Sequence, residues 1–221
     1  NGAMVVINPH TGRVLALTGG YQFSTSEFNR ATQAYRQPGS SFKPFVYLAA
    51  LDLPTKPTEL ILDAPLSYDQ GIGLPKWKPA NYTKKFYGPS PMRLGIEKSR
   101  NLMTARLALL VTMKKIRLYA KKFGINDELP ELLSMSLGAG ETTLLKLTSG
   151  YAMIVNGGKK IIPSFIDRVQ DRRGNTIFKT DSRHCKLCNF EENVDEKKIP
   201  NIYDSRKEIT DPGSAYQMVS M

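Results

Sequence analysis

Two apolar runs, Met4 to Asn8 and Arg13 to Thr18, flank Pro9-His10-Thr11-Gly12 and predict a β-hairpin. Further on, Phe42, Phe45, Val46 and Ala49 recur at i, i+3, i+4 and i+7 and predict a helix with one buried face. Pro38-Gly39 breaks the chain before it, and Pro44 is tolerated only near a helix start, so this helix is expected to begin at about Ser40. Residues 54 to 91 are rich in Pro, Gly and aromatic residues and read as a long irregular connection. Helical patterning dominates residues 92 to 156, with Gly124 and Asn156-Gly157-Gly158 as stops. Residues 161 to 179 read as a second hairpin around Asp171-Arg172-Arg173-Gly174-Asn175, with Ile161, Ile166, Val169, Ile177 and Phe178 available for burial. The sum is an α/β chain in α+β layers, helices clustered with a sheet. One domain is expected over 1–221, with 181–201 a charged, exposed excursion.

The candidate chemistry starts at the first helix. Ser40-Ser41-Phe42-Lys43 places a hydroxyl at the helix N-terminus, where unpaired N–H groups and the macrodipole favour developing negative charge. Lys43, three residues on, shares a face with Ser40 and can reach its hydroxyl as a base. That role requires a lowered lysine pKa, through burial or nearby positive charge. Ser41 is the rival nucleophile, but it stands two residues from Lys43 and points to another side of the helix. A bare S-x-x-K also fits a capped, solvated helix start. The flanking Pro-Gly, the apolar stripe and a downstream Ser99-Arg100-Asn101 together favour the catalytic reading. Ser99 lies between two stretches of good helix formers, 92–98 and 102–109, and reads as part of a loop. It can relay a proton between Lys43 and a leaving amine, while the Asn101 amide can bind the acyl donor. A plain cap on the following helix is the alternative for Ser99. Trp77, Asn81 and Tyr82 are candidates to line the substrate groove, although a Trp in such a loop also serves simply to pack it down.

S-x-x-K and S-x-N motifs mark a class of serine acyl-transfer enzymes. The chain closely resembles the transpeptidase module of class A penicillin-binding proteins, the Gram-negative 1A group in particular, over nearly its whole length. The resemblance is carried by residues 2–16, by Phe28-Asn29-Arg30-Ala31-Thr32-Gln33, the Ser40 region and Trp77-Lys78-Pro79-Ala80-Asn81-Tyr82. It continues through Leu137-Gly138-Ala139-Gly140-Glu141-Thr142-Thr143, Tyr151-Ala152-Met153 and Asn156-Gly157-Gly158. It implies a D,D-transpeptidase that cross-links peptidoglycan without a cofactor. Ser40 attacks the D-Ala-D-Ala amide of a stem peptide, D-alanine leaves, and an acceptor amine takes the acyl group. β-Lactams would acylate Ser40. Lys43 would be the base, with Ser99 and Asn101 as the second motif. The departure is that no Lys-Thr-Gly or Lys-Ser-Gly occurs in the sequence, although Ile209 to Val219 resembles the segment that normally precedes that strand. The chain is therefore expected to be a fragment with an incomplete sheet, inactive alone. A glycosyltransferase domain and a membrane anchor are expected upstream, with cell-wall synthesis proteins as partners and the periplasmic face of the inner membrane as location. A serine β-lactamase or β-lactam sensor, and a non-catalytic cell-wall scaffold, are the alternatives.

Composition changes this picture little. The chain is 41% hydrophobic and 23% charged, in the range of a folded domain, and no stretch approaches the roughly 20 apolar residues that cross a bilayer. Its net charge of +11 raises nucleic acid as a partner. The doublets Lys84-Lys85, Lys114-Lys115, Lys121-Lys122 and Lys159-Lys160 are scattered, however, and no nucleic-acid-binding motif accompanies them. The periodicity of Ile116, Tyr119, Ala120 and Phe123 makes two doublets solvated helix faces, so nucleic acid is set aside in favour of anionic lipid or cell-wall polymers. His184-Cys185-Lys186-Leu187-Cys188 invites a zinc reading, but two cysteines and two histidines would make His10 the fourth ligand, and no metal is expected. The extracytoplasmic setting implied by the resemblance favours a disulfide between Cys185 and Cys188.

Overall fold

A computed structural model of the chain describes residues 2–71, 73, 75–185 and 202–221. The first hairpin forms as the apolar runs predict. Strand β1 (Met4–Ile7) pairs antiparallel with β2 (Val14–Thr18), Met4 opposite Thr18. Gly12 closes the turn at φ +76°, and a Cβ there would meet the Ile162 carbonyl oxygen at 2.6 Å, so the turn demands glycine twice over.

The helix predicted from Ser40 begins with a single 3-10 turn, Gly39–Phe42, and becomes α-helical as α1 at Lys43–Leu51. Pro44 sits in the first turn of α1, where its missing N–H costs no intrahelical bond. The expectation of one buried face is corrected: Lys43 and every residue from Phe45 to Leu51 are buried. Helix α1 is the central rod of the molecule. Around it pack α2 (Met92–Glu97), α3 (Asn101–Val111), α4 (Met113–Lys122) and α6 (Pro212–Ser220), while α5 (Leu144–Val155) lies against α6 and β1. The core joins Phe42, Phe45 and Leu48 to Leu107 of α3, Ile116 and Phe123 of the α4 region, and Met153 of α5. Phe45 meets Phe123 and Tyr151 edge-on at centroid distances of 5.4 and 5.6 Å. Helix α4 buries Ile116, Tyr119 and Ala120 and leaves Lys114, Lys121 and Lys122 exposed, as its periodicity requires.

The stretch read as wholly irregular contains two strands. β3 (Leu60–Asp63) pairs antiparallel with β4 (Gly88–Pro91), clamping the intervening loop at its base. Proline and glycine hide β4 from a propensity reading, because half of its Gly-Pro-Ser-Pro residues are prolines. The second predicted hairpin also exists, but it is shorter than expected. β5 (Arg168–Gln170) pairs with β6 (Thr176–Lys179), and of its five candidate core residues only Ile161 is buried, while Ile166, Val169, Ile177 and Phe178 are exposed. β7 (His184–Cys185), near the start of the expected excursion 181–201, pairs with β8 (Ile202–Tyr203) just past its end. The layers are thus α+β, with the described strands arranged as four separate two-stranded sheets.

Candidate active site

Ser40 lies exposed in the 3-10 turn that leads into α1. Its neighbour Gly39 has φ +56°, a left-handed conformation that swings the chain from Pro38 into the turn. Lys43 follows one turn later and is fully buried. A hydroxyl on the surface above a buried amine is the arrangement that the three-residue spacing suggests.

The lysine is held by the second motif. Lys43 Nζ donates to the Ser99 carbonyl oxygen at 2.7 Å, to Ser99 Oγ at 3.0 Å and to Asn101 Oδ1 at 2.7 Å. All three bonds go to Ser99 and Asn101, not to Ser40. Burial pulls the Lys43 pKa from 10.5 down to about 8. The condition for a general base is thereby met by desolvation alone. Ser99 sits between α2 and α3 at φ +51°, a left-handed conformation uncommon for a residue with a Cβ. That turn aims both the Ser99 carbonyl and its hydroxyl at the amine. The capping alternative for Ser99 does not hold, because the N-cap of α3 is Arg100 and no side chain caps it. Asn101 is the first residue of α3, and its amide is already engaged on both ends, accepting from Lys43 and donating to Ala80 O at 2.9 Å.

The groove candidates divide. Asn81 is buried and structural: Nδ2 donates to Asp63 Oδ1 at 2.8 Å and to Lys85 O at 2.9 Å, while Oδ1 accepts from Leu102 N at 3.3 Å. It ties the long loop to β3 and to the first turn of α3. Tyr82 is fully exposed, and with Asn81, Thr83, Tyr87, Lys98, Ser99 and Arg100 it lines a cavity of about 300 Å³ beside Ser99. Trp77 is not part of that lining. Its backbone forms a two-way bridge with Tyr68 and its ring packs on the core, so it fastens the loop down.

Sequence reasoning missed Asp63 and Arg100. Asp63 is a fully buried carboxylate whose Oδ2 lies 3.6 Å from Arg100 Nη1 and has no hydrogen bond. Arg100 also donates to Ser90 Oγ at 2.9 Å and stands 4.0 Å over the Tyr87 ring. The middle residue of Ser99-Arg100-Asn101 therefore anchors the loop to β4. Asp63 was legible as one charge ending the apolar run Leu60-Ile61-Leu62; nothing local pointed to its partner. The disulfide expectation falls partly on Cys188, which lies outside the described residues. No group of three or more metal-ligating side chains occurs among the described residues.

Comparison with known proteins converges on one family. Residues 2–204 match the penicillin binding protein transpeptidase domain. Over its whole length the chain is 50% identical to penicillin-binding protein 1A of Rickettsia conorii, and over 80% of its length 38% identical to that of Pseudomonas aeruginosa. It spans 28% and 22% of the length of those two relatives. Among solved structures, penicillin-binding protein 1A from Haemophilus influenzae superposes with a TM-score of 0.74 at 34% identity, over 80% of this chain and 26% of that one. PonA1 from Mycobacterium tuberculosis in complex with penicillin V gives 0.69 at 27% identity, over 80% of this chain and 50% of its own. The segments that carry Ser40, Lys43, Ser99 and Asn101 all fall inside the matched range, and the chain belongs to the penicillin-binding protein transpeptidase family.

Proposed function

We propose that this chain supplies the acylation centre of a serine D,D-transpeptidase that cross-links peptidoglycan stem peptides and is acylated by β-lactams. The observation that carries this reading is the buried Lys43, one helical turn behind an exposed Ser40 and bonded to Ser99 and Asn101. A protonated lysine satisfies all three of its acceptors. A neutral one has two protons, enough for the two carbonyl-type oxygens, which leaves its lone pair for a hydroxyl. With its pKa near 8, a useful fraction is neutral at physiological pH.

In the first half-reaction the Ser40 Oγ–H proton passes to the Lys43 amine as Oγ bonds to the penultimate D-Ala carbonyl carbon. The resulting oxyanion is favoured at the N-terminus of α1. Its collapse breaks the C–N bond, and the departing D-alanine nitrogen takes a proton delivered from Lys43 through Ser99 Oγ. In the second half an acceptor amine attacks the ester, gives up its proton along the same route, and releases Ser40 with its hydroxyl restored. Asp63, Asn81 and Arg100 hold the loop that presents Ser99. The Tyr82 and Tyr87 cavity beside Ser99 suits part of the donor peptide. No Lys-Thr-Gly or Lys-Ser-Gly occurs among these 221 residues to grip the substrate carboxylate or supply a second oxyanion donor, so on this reading the chain by itself is expected to be inactive. Among the described residues no helix is long and apolar enough to cross a membrane, and the periplasmic location follows the family.

The test uses the full-length protein with a donor peptide ending in D-Ala-D-Ala and an acceptor amine, following release of D-alanine and formation of the cross-linked product. Both are expected to disappear in Ser40→Ala. Release of D-alanine only as hydrolysis, with no product on the amine, would favour a hydrolase, and neither event on folded protein would favour a scaffold.

A further inference from the structure

The turn that carries Ser40 is held from outside its own helix. Residues 31–41 run alongside 138–151 and meet them at four points. Leu145 N donates to Ala31 O at 3.0 Å, and Arg36 and Thr142 exchange reciprocal backbone bonds of 3.0 Å. Gly39 N then donates to Gly138 O at 3.1 Å, and the Tyr151 hydroxyl donates to Ser41 O at 2.8 Å. The last two contacts bracket the nucleophile, one on each neighbouring residue.

Each bracket has its own chemistry. Gly138 has φ +82°, and a Cβ there would sit 2.0 Å from Gly39 O and 2.6 Å from Gly39 C. The Gly39–Ser40 peptide therefore lies directly against the Gly138 Cα. That peptide carries the Ser40 N–H, and its plane sets where the N–H points. On the other side, Tyr151 packs its ring edge-on against Phe45, at an interplanar angle of 89°. This packing fixes the phenol so that its hydroxyl reaches the Ser41 carbonyl.

We infer that Gly138 and Tyr151 are positioning residues for the nucleophile, a brace that sets the direction of Ser40 Oγ and of the Ser40 N–H toward the acyl carbon. This rests on Ser40 as the nucleophile. A brace acts on the acylation step and not on binding, because among the described residues neither Gly138 nor Tyr151 is a hydrogen-bond partner of Lys43 or part of the lining of the cavity beside Ser99. Small displacements of a reacting atom are costly in rate.

The experiment measures acylation of the full-length protein by benzylpenicillin, separating the maximal acylation rate from the half-saturating concentration, for wild type, Ser40→Ala, Tyr151→Phe and Gly138→Ala. Thermal midpoints are taken in parallel. Tyr151→Phe keeps the ring on Phe45 and removes only the hydroxyl. Its maximal rate is expected to fall about five-fold, as loss of one aligned hydrogen bond of roughly 1 kcal/mol implies. Its half-saturating concentration should stay near wild type, and its thermal midpoint should fall by no more than the few degrees that loss of one hydrogen bond brings. Gly138→Ala should lose more, in the same parameter. A wild-type adduct on Ser40, with Tyr151→Phe acylated as fast as wild type, would overturn the brace alone. So would a rate loss that merely follows the loss of folded protein. No adduct on folded wild type would overturn the assignment of Ser40 and the brace with it.

Discussion

At the scale of single residues the account turns on Lys43. Its spacing from Ser40 was legible because three residues on a helix share a face. Its actual hydrogen-bond partners were not, because Ser99 and Asn101 lie 56 and 58 positions away and only the packing of α1 on α3 brings them in. Burial without a compensating carboxylate lowers the lysine pKa from 10.5 to about 8. In the proposed mechanism the neutral amine is the working form, so the maximal acylation rate should climb about ten-fold per pH unit below pH 8 and level off above it. A profile measured with benzylpenicillin checks this, and an inflection near 10.5 would show that Lys43 is not desolvated in the working enzyme. The same depression makes the unfolded chain bind the extra proton between pH 8 and 10.5, so this group's contribution to stability rises with pH across that window. Ser99→Ala removes the relay hydroxyl but leaves the Ser99 carbonyl on Lys43. Acylation is expected to slow by about 10²- to 10⁴-fold, with the noncovalent affinity for penicillin little changed. A variant within a few-fold of wild type would take Ser99 out of the proton path.

At the scale of elements, helix α1 was legible in position and illegible in burial. Four apolar positions announced one buried face, yet Tyr47, Leu48 and Ala50 are buried too, because α2, α3, α4 and α6 surround the helix. A hydrophobic period reports which face must be covered, not how many neighbours arrive. Phe45→Ala should cost about 3–5 kcal/mol, since it empties a fully buried site shared with Phe123 and Tyr151; urea unfolding measures it. The loop from 64 to 87 teaches the opposite lesson. Asn81, singled out as a groove residue, lines the cavity beside Ser99 and is at the same time a buried fastener, whose three hydrogen bonds join β3, the loop and α3. Asn81→Ala strands Asp63 Oδ1 and Leu102 N without their partner and should cost about 1–3 kcal/mol per stranded group. Tyr82→Ala, at a fully exposed site, should leave unfolding midpoints unchanged. Equal stability losses in the two variants would contradict the division of roles.

At the scale of the whole molecule, one polar knot ties distant parts of the chain to the far end of α1. Asp52, at the C-cap of α1, accepts from the Tyr119 hydroxyl of α4 and from Thr210 Oγ1 at 2.7 Å, just ahead of α6. Gly158 fits against Thr210, where a Cβ would come within 2.8 Å of its backbone oxygen. Burial and the adjoining carboxylate hold the Tyr119 phenol protonated well above the usual range, so it is a permanent donor. Tyr119→Phe should lower stability by about 1.5–3 kcal/mol with acylation kinetics intact, because the knot lies at the opposite end of α1 from Ser40. None of this was legible in the sequence, which separates Asp52 from Thr210 by 158 positions. The order of the family segments was legible, and the structure brings the segment that carries Ser40 and Lys43 together with Ser99 and Asn101. The most direct measurement is intact-mass spectrometry of the full-length protein after incubation with benzylpenicillin, followed by peptide mapping of the modified residue. The account predicts one slowly released penicilloyl group on Ser40, absent from Ser40→Ala; an adduct on Ser41 or elsewhere, or none on folded protein, would contradict it.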